Sequence, residues 1–134
     1  MIEIGLYRHY KNKLYYVLGV GFKSNPLLNV NHETFNLIRN TRYCFFGRVV
    51  DAITLQRYHL YRMKSNTRKF LITNDTGMLE TSKDMETFVV YKSMYNDEKF
   101  GNEALWVRPL EEFTNNVEIE TIDEVISIPR FTKV

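Results

Sequence analysis

A chain of 134 residues, 44% hydrophobic and 25% charged, is about one domain with a single modest core. Its one cysteine, Cys44, excludes an internal disulfide and any multi-cysteine metal site, and no apolar run approaches the ~20 residues of a membrane span. The N-terminal MIEIGLYRHYK has neither the apolar stretch of a signal peptide nor the basic amphipathic look of a transit peptide, so a soluble, cytoplasmic protein is expected.

Aromatic residues make up 14% of the chain, with nine Tyr and nine Phe, which favours strands. Residues 4–10 and 14–22 read as two strands joined by Lys11-Asn12-Lys13, where Asn tolerates left-handed backbone. Ser24-Asn25-Pro26 breaks the second strand. In NHETFNLIRN, Asn31 can cap a short helix with Phe35 and Ile38 on one face, ending at Asn40 or Thr41. YCFFGRVVDAITL, residues 43–55, reads as a strand kinked at Gly47. RYHLYRM and KFLIT form a second hairpin, and Asn74-Asp75-Thr76-Gly77 is a turn. TFVVYKSMY, residues 87–95, is a strong strand, followed by the polar loop NDEKFGN and a strand in ALWVRP. Pro109 suits the first position of a helical turn over Leu110–Phe113. Strands near 116–120 and 125–129 precede IPRF. The pattern predicts a mostly-β protein with one or two short helices, and a small barrel as its architecture.

The net charge of +2 conceals an asymmetry. Between Arg39 and Lys69 lie Arg39, Arg42, Arg48, Arg57, Arg62, Lys64, Arg68 and Lys69 against Asp51 alone, while the rest of the chain carries 10 basic and 15 acidic residues. Segregated charge creates a field that the net charge hides. Tyr43, Phe45, Phe46, Tyr58, Tyr61 and Phe70 are interleaved with these bases, the composition that holds single-stranded nucleic acid by stacking and phosphate contact. Arg57, Tyr58, Tyr61, Arg62, Lys64, Arg68 and Lys69 are the candidate nucleic-acid contacts. A solvated face, with basic side chains covering apolar surface, would give the same composition.

Four blocks occur together: GLYRHYKNKLYYVLGVG, ETFVVYKSMY, ALWVRPLEEF and IPRF. In this order they resemble the domain of unknown function 1653 family, over residues 3–24 and 80–131. The resemblance implies an SH3-like β-barrel and brings no established activity. Members of that family pass from the Leu-Gly-Val strand to the Val-Val-Tyr strand through a short turn containing His. Here about 55 residues replace that turn, and the basic segment lies wholly within them. The expected organisation is one domain, with a barrel from 1–24 and 80–134 and a basic aromatic insertion over 25–79. Long insertions in surface turns cost little closure entropy, so deleting residues 26–79 is expected to leave a folded barrel.

Arg8, Arg108 and Arg130 belong to the resembling blocks and neighbour Tyr7, Trp106 and Phe131. Guanidinium groups beside rings can hold planar or anionic ligands, and the alternative for these arginines is structural pairing with Glu3, Glu111 or Glu112. A barrel pocket lined by Arg8, His9, Tyr91, Trp106, Arg108 and Arg130 is the second functional possibility, with a nucleotide-like or other anionic ligand. Trp106 is expected to be partly buried, close to the hairpin of residues 5–22. No catalytic residue, metal site or cofactor is indicated. Cys44 is expected to be a buried inert thiol, and His9, His32 and His59 lack metal-ligand spacing. Gly19-x-Gly21 lies within a strand and lacks the third glycine of a dinucleotide loop. The expectation is an uncharacterised non-enzymatic binding module, contacting nucleic acid or another polyanion through the insertion or a small anion through the pocket.

Overall fold

The computed structural model describes residues 2–23, 31–79 and 86–134, so the expected break at Ser24-Asn25-Pro26 lies outside the described residues. Tyr-rich alternation produces the first hairpin, β1 (Gly5–His9) and β2 (Leu14–Phe22). Asn12 takes φ +69° at its turn, as a short Asn turn requires. Helix α1 (His32–Arg42) starts where the Asn31 side chain accepts from the Thr34 N–H at 2.8 Å. It runs directly into β3 (Tyr43–Asp51), which hairpins with β4 (Arg57–Met63), and β4 with β5 (Lys69–Thr73).

β6 (Thr87–Ser93) follows, then a two-residue ribbon of β7 (Asn96–Asp97) and β8 (Gly101–Asn102) where a plain loop was expected. β9 (Leu105–Pro109) leads into the single turn α2 (Leu110–Thr114). The chain ends with the separate hairpin β10 (Asn116–Glu120) and β11 (Val125–Pro129), then β12 (Phe131–Lys133). The protein is mostly β. Its main sheet has the order β12-β1-β2-β5-β4-β3-β9-β6, and β2 also pairs with β6, so six of these strands close a barrel.

The barrel corrects the expected division of the chain. Residues 1–24 and 80–134 supply β12-β1-β2-β6-β9, a continuous sheet, but β3, β4 and β5 of the 25–79 segment supply the other half of the closed ring. Burial explains why. The apolar run Phe88-Val89-Val90-Tyr91 of β6 is covered on both faces, each of its residues no more than 3% exposed. Val89 and Tyr91 pack with Tyr7, Val17, Phe113 and Phe131, all outside the insertion. Phe88 and Val90, with Val107, pack against Val49, Tyr58, Leu60, Phe70 and Ile72, all inside it. Two cores thus lie back to back on one shared sheet. The insertion fills the barrel interior and does not stand off as a separable ornament.

Parallel ladders close the ring on both sides: β2 with β5 at Val20↔Lys69 through Phe22↔Leu71, and β3 with β9 at Val50↔Trp106 and Asp51↔Val107. Gly19 and Gly21 sit at the first seam. A Cβ on Gly19 would lie 2.1 Å from the Arg68 carbonyl oxygen, and one on Gly21 3.1 Å from that of Phe70. The glycine pair therefore serves close strand approach. Because β3 meets β9 only at its last two residues, its first half runs past the closed ring. Cys44 is accordingly exposed, contrary to the expected buried thiol. β3 also stops at Asp51 and not near Leu55: the Asp51 Oδ1 accepts from the Ile53 and Thr54 N–H groups and folds the chain into a turn. No helix among the described residues is long and apolar enough to cross a membrane.

Candidate functional site

A cavity of about 430 Å³ opens between β1, β6, β9, the β3–β4 turn and the segment entering β12. Its wall brings together His9, Tyr91, Trp106, Arg108 and Arg130, five of the six residues proposed from sequence as ligand contacts. The sixth, Arg8, is turned away. Strand alternation places it on the other face from His9, where its Nη1 donates to Asn12 Oδ1 at 2.8 Å on the surface.

The floor is aromatic. Phe131 stacks on Phe113 with centroids 4.0 Å apart, and presents edge contacts to Tyr91 at 5.6 Å, Tyr15 at 5.7 Å and His9 at 4.9 Å. Trp106 is half-buried beside this cluster, near the first hairpin as expected, and its Nε1 donates to the fully buried Ser93 Oγ at 2.8 Å. Burial raises the Tyr91 phenol above its ordinary pKa, although Arg108 opposes this and donates its Nε–H to the hydroxyl at 3.3 Å. Burial and the hydrogen bond with Tyr95 likewise push the Tyr15 phenol up. Both rings stay neutral at physiological pH.

Charge sits on this floor unevenly. Arg108 Nη1 and Arg130 Nη2 share one oxygen, Glu112 Oε1, at 3.1 Å and 3.6 Å. One carboxylate thus serves two guanidinium groups, and the Arg130 Nε is buried with no hydrogen-bond partner. Lys11 and Lys13 add two cations to the rim, against the single lining carboxylate Asp97. His9 does not add a third. Burial, then Arg108, Arg130 and Lys11, lower its pKa to about 4. Its Nδ1 accepts from the Lys11 N–H at 3.2 Å, which leaves the proton of the neutral ring on Nε2. His9 is therefore a neutral donor beside a cationic wall.

Ala52 and Leu55, from the β3–β4 turn, complete the enclosure. Leu55 adopts φ +64°, unusual for a branched residue, and is held by its N–H to Asp51 O at 2.8 Å. Asp51 is anchored in turn by Lys23 Nζ, 2.9 Å from its Oδ2. Burial alone would raise the Asp51 pKa, but Lys23 and the Thr54 and Ile53 amides outweigh it and hold the carboxyl below its usual range. Sequence inspection missed Lys11, Lys13, Tyr15, Leu55 and Tyr95, whereas Glu112, named as one alternative partner for the arginines, is the carboxylate that pairs with Arg108 and Arg130. Lys11 and Lys13 could have been found, since they flank the turn that His9 enters.

The candidate nucleic-acid residues are not brought together. Tyr58 is 4% exposed and belongs to the barrel core, with the Lys23 ammonium 4.3 Å from its ring centroid. Arg62 shares its inward face, its guanidinium 4.5 Å from the Phe46 centroid and 5.3 Å from that of Phe70. Tyr61 points outward and packs beneath Arg39, 5.3 Å from its ring centroid. Lys64, Arg68 and Lys69 are exposed around the β4–β5 turn, whereas Arg57 lies at the far end of β4 against Phe100, 5.5 Å from the centroid. Among the described residues no group of three or more His, Cys, Asp or Glu could hold a metal ion.

No curated protein and no solved structure matches the chain. Residues 75–133 match the model of a family described as protein of unknown function (DUF1653); the match does not extend to the first hairpin, on which the resemblance also rested. This stretch carries β6, β9, α2 and β12 with Tyr91, Trp106, Arg108, Glu112 and Arg130, and over these residues the chain is similar to that family.

Proposed function

We propose that the protein is a non-enzymatic binding module whose cavity takes a small, planar, anionic molecule of the nucleotide-like kind. The observation that carries this is the convergence of Arg108 and Arg130 on one shared carboxylate above a floor of Phe131, Tyr15 and Tyr91. Guanidinium forks pair with planar anions through two parallel hydrogen bonds, and rings receive a planar partner by stacking. The Arg130 Nε, buried and unpaired, is a donor still to be satisfied. Neutral His9 offers an Nε2–H without adding charge, so the pocket favours an anion with a neutral acceptor edge.

The test is a thermal-shift titration with adenosine monophosphate as the probe, on the wild type and on Arg130→Gln. A ligand that binds only the folded state raises stability by RT ln(1 + [L]/Kd), about 2.7 kcal/mol at a hundredfold excess over Kd. The wild type is expected to rise with concentration, and Arg130→Gln to keep its cooperative melt but lose the rise. A probe that shifts both proteins equally, or neither, refutes the assignment.

A further inference from the structure

We propose that the outer face of β3 and β4, where it meets the β7–β8 turn, is a docking surface for single-stranded nucleic acid. A phosphate would be held among Arg48, Arg57 and Lys99, and a base would stack on Phe45. This surface is separate from the cavity above and stands whether or not that cavity binds an anion.

Arg48, Arg57 and Lys99 line a second cavity of about 290 Å³ that joins the insertion to the β7–β8 turn. All three are exposed, and among the described residues none meets a carboxylate within ion-pair distance. Glu103 also lines the cavity, but it is engaged by Lys92 at 3.5 Å. Arg57 and Lys99 both approach one ring, 5.5 Å and 5.4 Å from the Phe100 centroid, so Phe100 ties both cations to this cavity. Three cations lining one cavity against a single carboxylate, itself paired with Lys92, suit an anion with several negative oxygens.

The aromatic part lies along the same ribbon. Phe45 is 58% exposed, its ring edge-on to His59 and Tyr61 at 5.5 Å each. Arg48 is paired directly opposite His59 in the β3–β4 register. From Tyr61 to Arg57, four residues along β4, the face runs about 13 Å from exposed ring to cationic cavity. Alternating ring and phosphate contacts along a groove are how single strands are held without base-specific bonds. A duplex keeps its bases stacked and offers Phe45 none. The surface shares only Arg57 and Tyr61 with the residues expected from sequence, because the fold disperses the others.

Fluorescence anisotropy of a labelled oligothymidylate, read between about 50 and 200 mM salt, tests the surface. The variant Arg48→Glu/Arg57→Glu/Lys99→Glu should weaken binding and flatten the log affinity–log salt slope by about 2 units, ~0.7 for each lost phosphate contact. Phe45→Ala should weaken binding roughly 5- to 150-fold and leave the slope unchanged. The control Lys64→Glu/Arg68→Glu/Lys69→Glu carries the same charge change at the β4–β5 turn and should bind nearly as wild type. If the triple variant fails to melt cooperatively, Arg57→Glu alone should still remove ~0.7 of slope. The proposal is overturned if the wild type does not bind, or if the control loses as much as the triple. It is also overturned if Phe45→Ala is silent and pyrophosphate displaces the strand, which would mark a site for phosphate only.

Discussion

Gly19→Ala tests the claim that the basic insertion closes the barrel. A Cβ at Gly19 would lie 2.1 Å from the Arg68 carbonyl oxygen and 2.7 Å from its carbon, both backbone atoms that cannot rotate away. Either β2 or β5 must retreat. Overpacking of this kind costs about 1–3 kcal/mol. The retreat also stretches the bond from Val20 N–H to Arg68 O, now 3.0 Å, for about 1 kcal/mol more. The restricted unfolded chain returns about 0.4–1 kcal/mol. The net expectation is a loss of about 2–3 kcal/mol, which lowers Tm by roughly 6–15 °C in a domain of this length. Gly47→Ala is the matched control. Gly47 has the same φ of +159° as Gly19, but its Cβ would meet only the flexible end of Leu105, at 3.3 Å. Any shared conformational cost cancels between the two, and Gly47→Ala should lose about 1–2 kcal/mol less than Gly19→Ala. Urea midpoints at constant m-value measure both. Equal losses would refute the close approach of β2 and β5, and with it the closed ring.

Deleting residues 26–79 is expected to abolish the cooperative thermal transition, because Phe88, Val90 and Val107, each at most 3% exposed, lose the core that covers them; a sharp melt would show that the β12-β1-β2-β6-β9 sheet suffices. Trp106→Ala should cost about 2–4 kcal/mol in urea denaturation, since it removes half-buried ring contact and strands the buried Ser93 hydroxyl, and a loss below about 1 kcal/mol would make Trp106 a surface aromatic. His9→Gln should remove a pH dependence: the unfolded histidine takes up a proton near its ordinary 6.5 but the folded one only near 4, so wild-type stability is complete above 6.5 and declines as pH falls toward 4. A wild-type urea midpoint as flat with pH as the variant's would contradict this. Leu55→Asn, a residue that tolerates positive φ, should leave stability unchanged or raise it by up to about 1 kcal/mol while weakening the adenosine monophosphate shift; a clear loss of stability would place Leu55 in the core.

Local features were legible because their causes are local. Lys11-Asn12-Lys13 announces a turn through the left-handed tolerance of Asn12, and Asn31 announces a helix through its side-chain cap. The convergence of His9, Tyr91, Trp106, Arg108 and Arg130 followed from blocks that resemble one family, which carry the sheet positions with them. What stayed hidden was set by pairings across the chain. The parallel ladders of β2 with β5 and β3 with β9 leave no periodicity in any single segment. The charge count from Arg39 to Lys69 could not show that Tyr58 and Arg62 point inward, because a count ignores the alternation that puts Tyr58, Leu60 and Arg62 on one face of β4 and Arg57 and Tyr61 on the other. Glu112 was offered only as one of several partners for the arginines, and its service to two of them depends on β12 returning beside α2.

The cavity is consequently a joint product of the two halves of the chain. Its cations and most of its rings come from the segments that resemble the family, but Ala52 and Leu55 come from the insertion. The link between them is Lys23, at the end of β2, which binds Asp51 at the end of β3. That pair is nearly buried, with side chains 14% and 4% exposed, so removing either partner would leave an uncompensated charge. The same Asp51 takes the Ile53 and Thr54 amides and accepts the Leu55 N–H on its backbone oxygen, which keeps Leu55 in a backbone conformation a leucine seldom adopts. Backbone strain at one residue persists only where its surroundings over-determine it, and it gathers beside functional sites. Here the surroundings are a salt bridge from the end of β2 to the end of β3, with the turn amides that Asp51 also accepts. The segment over residues 25–79 therefore completes the barrel and also walls the cavity that holds Arg108 and Arg130.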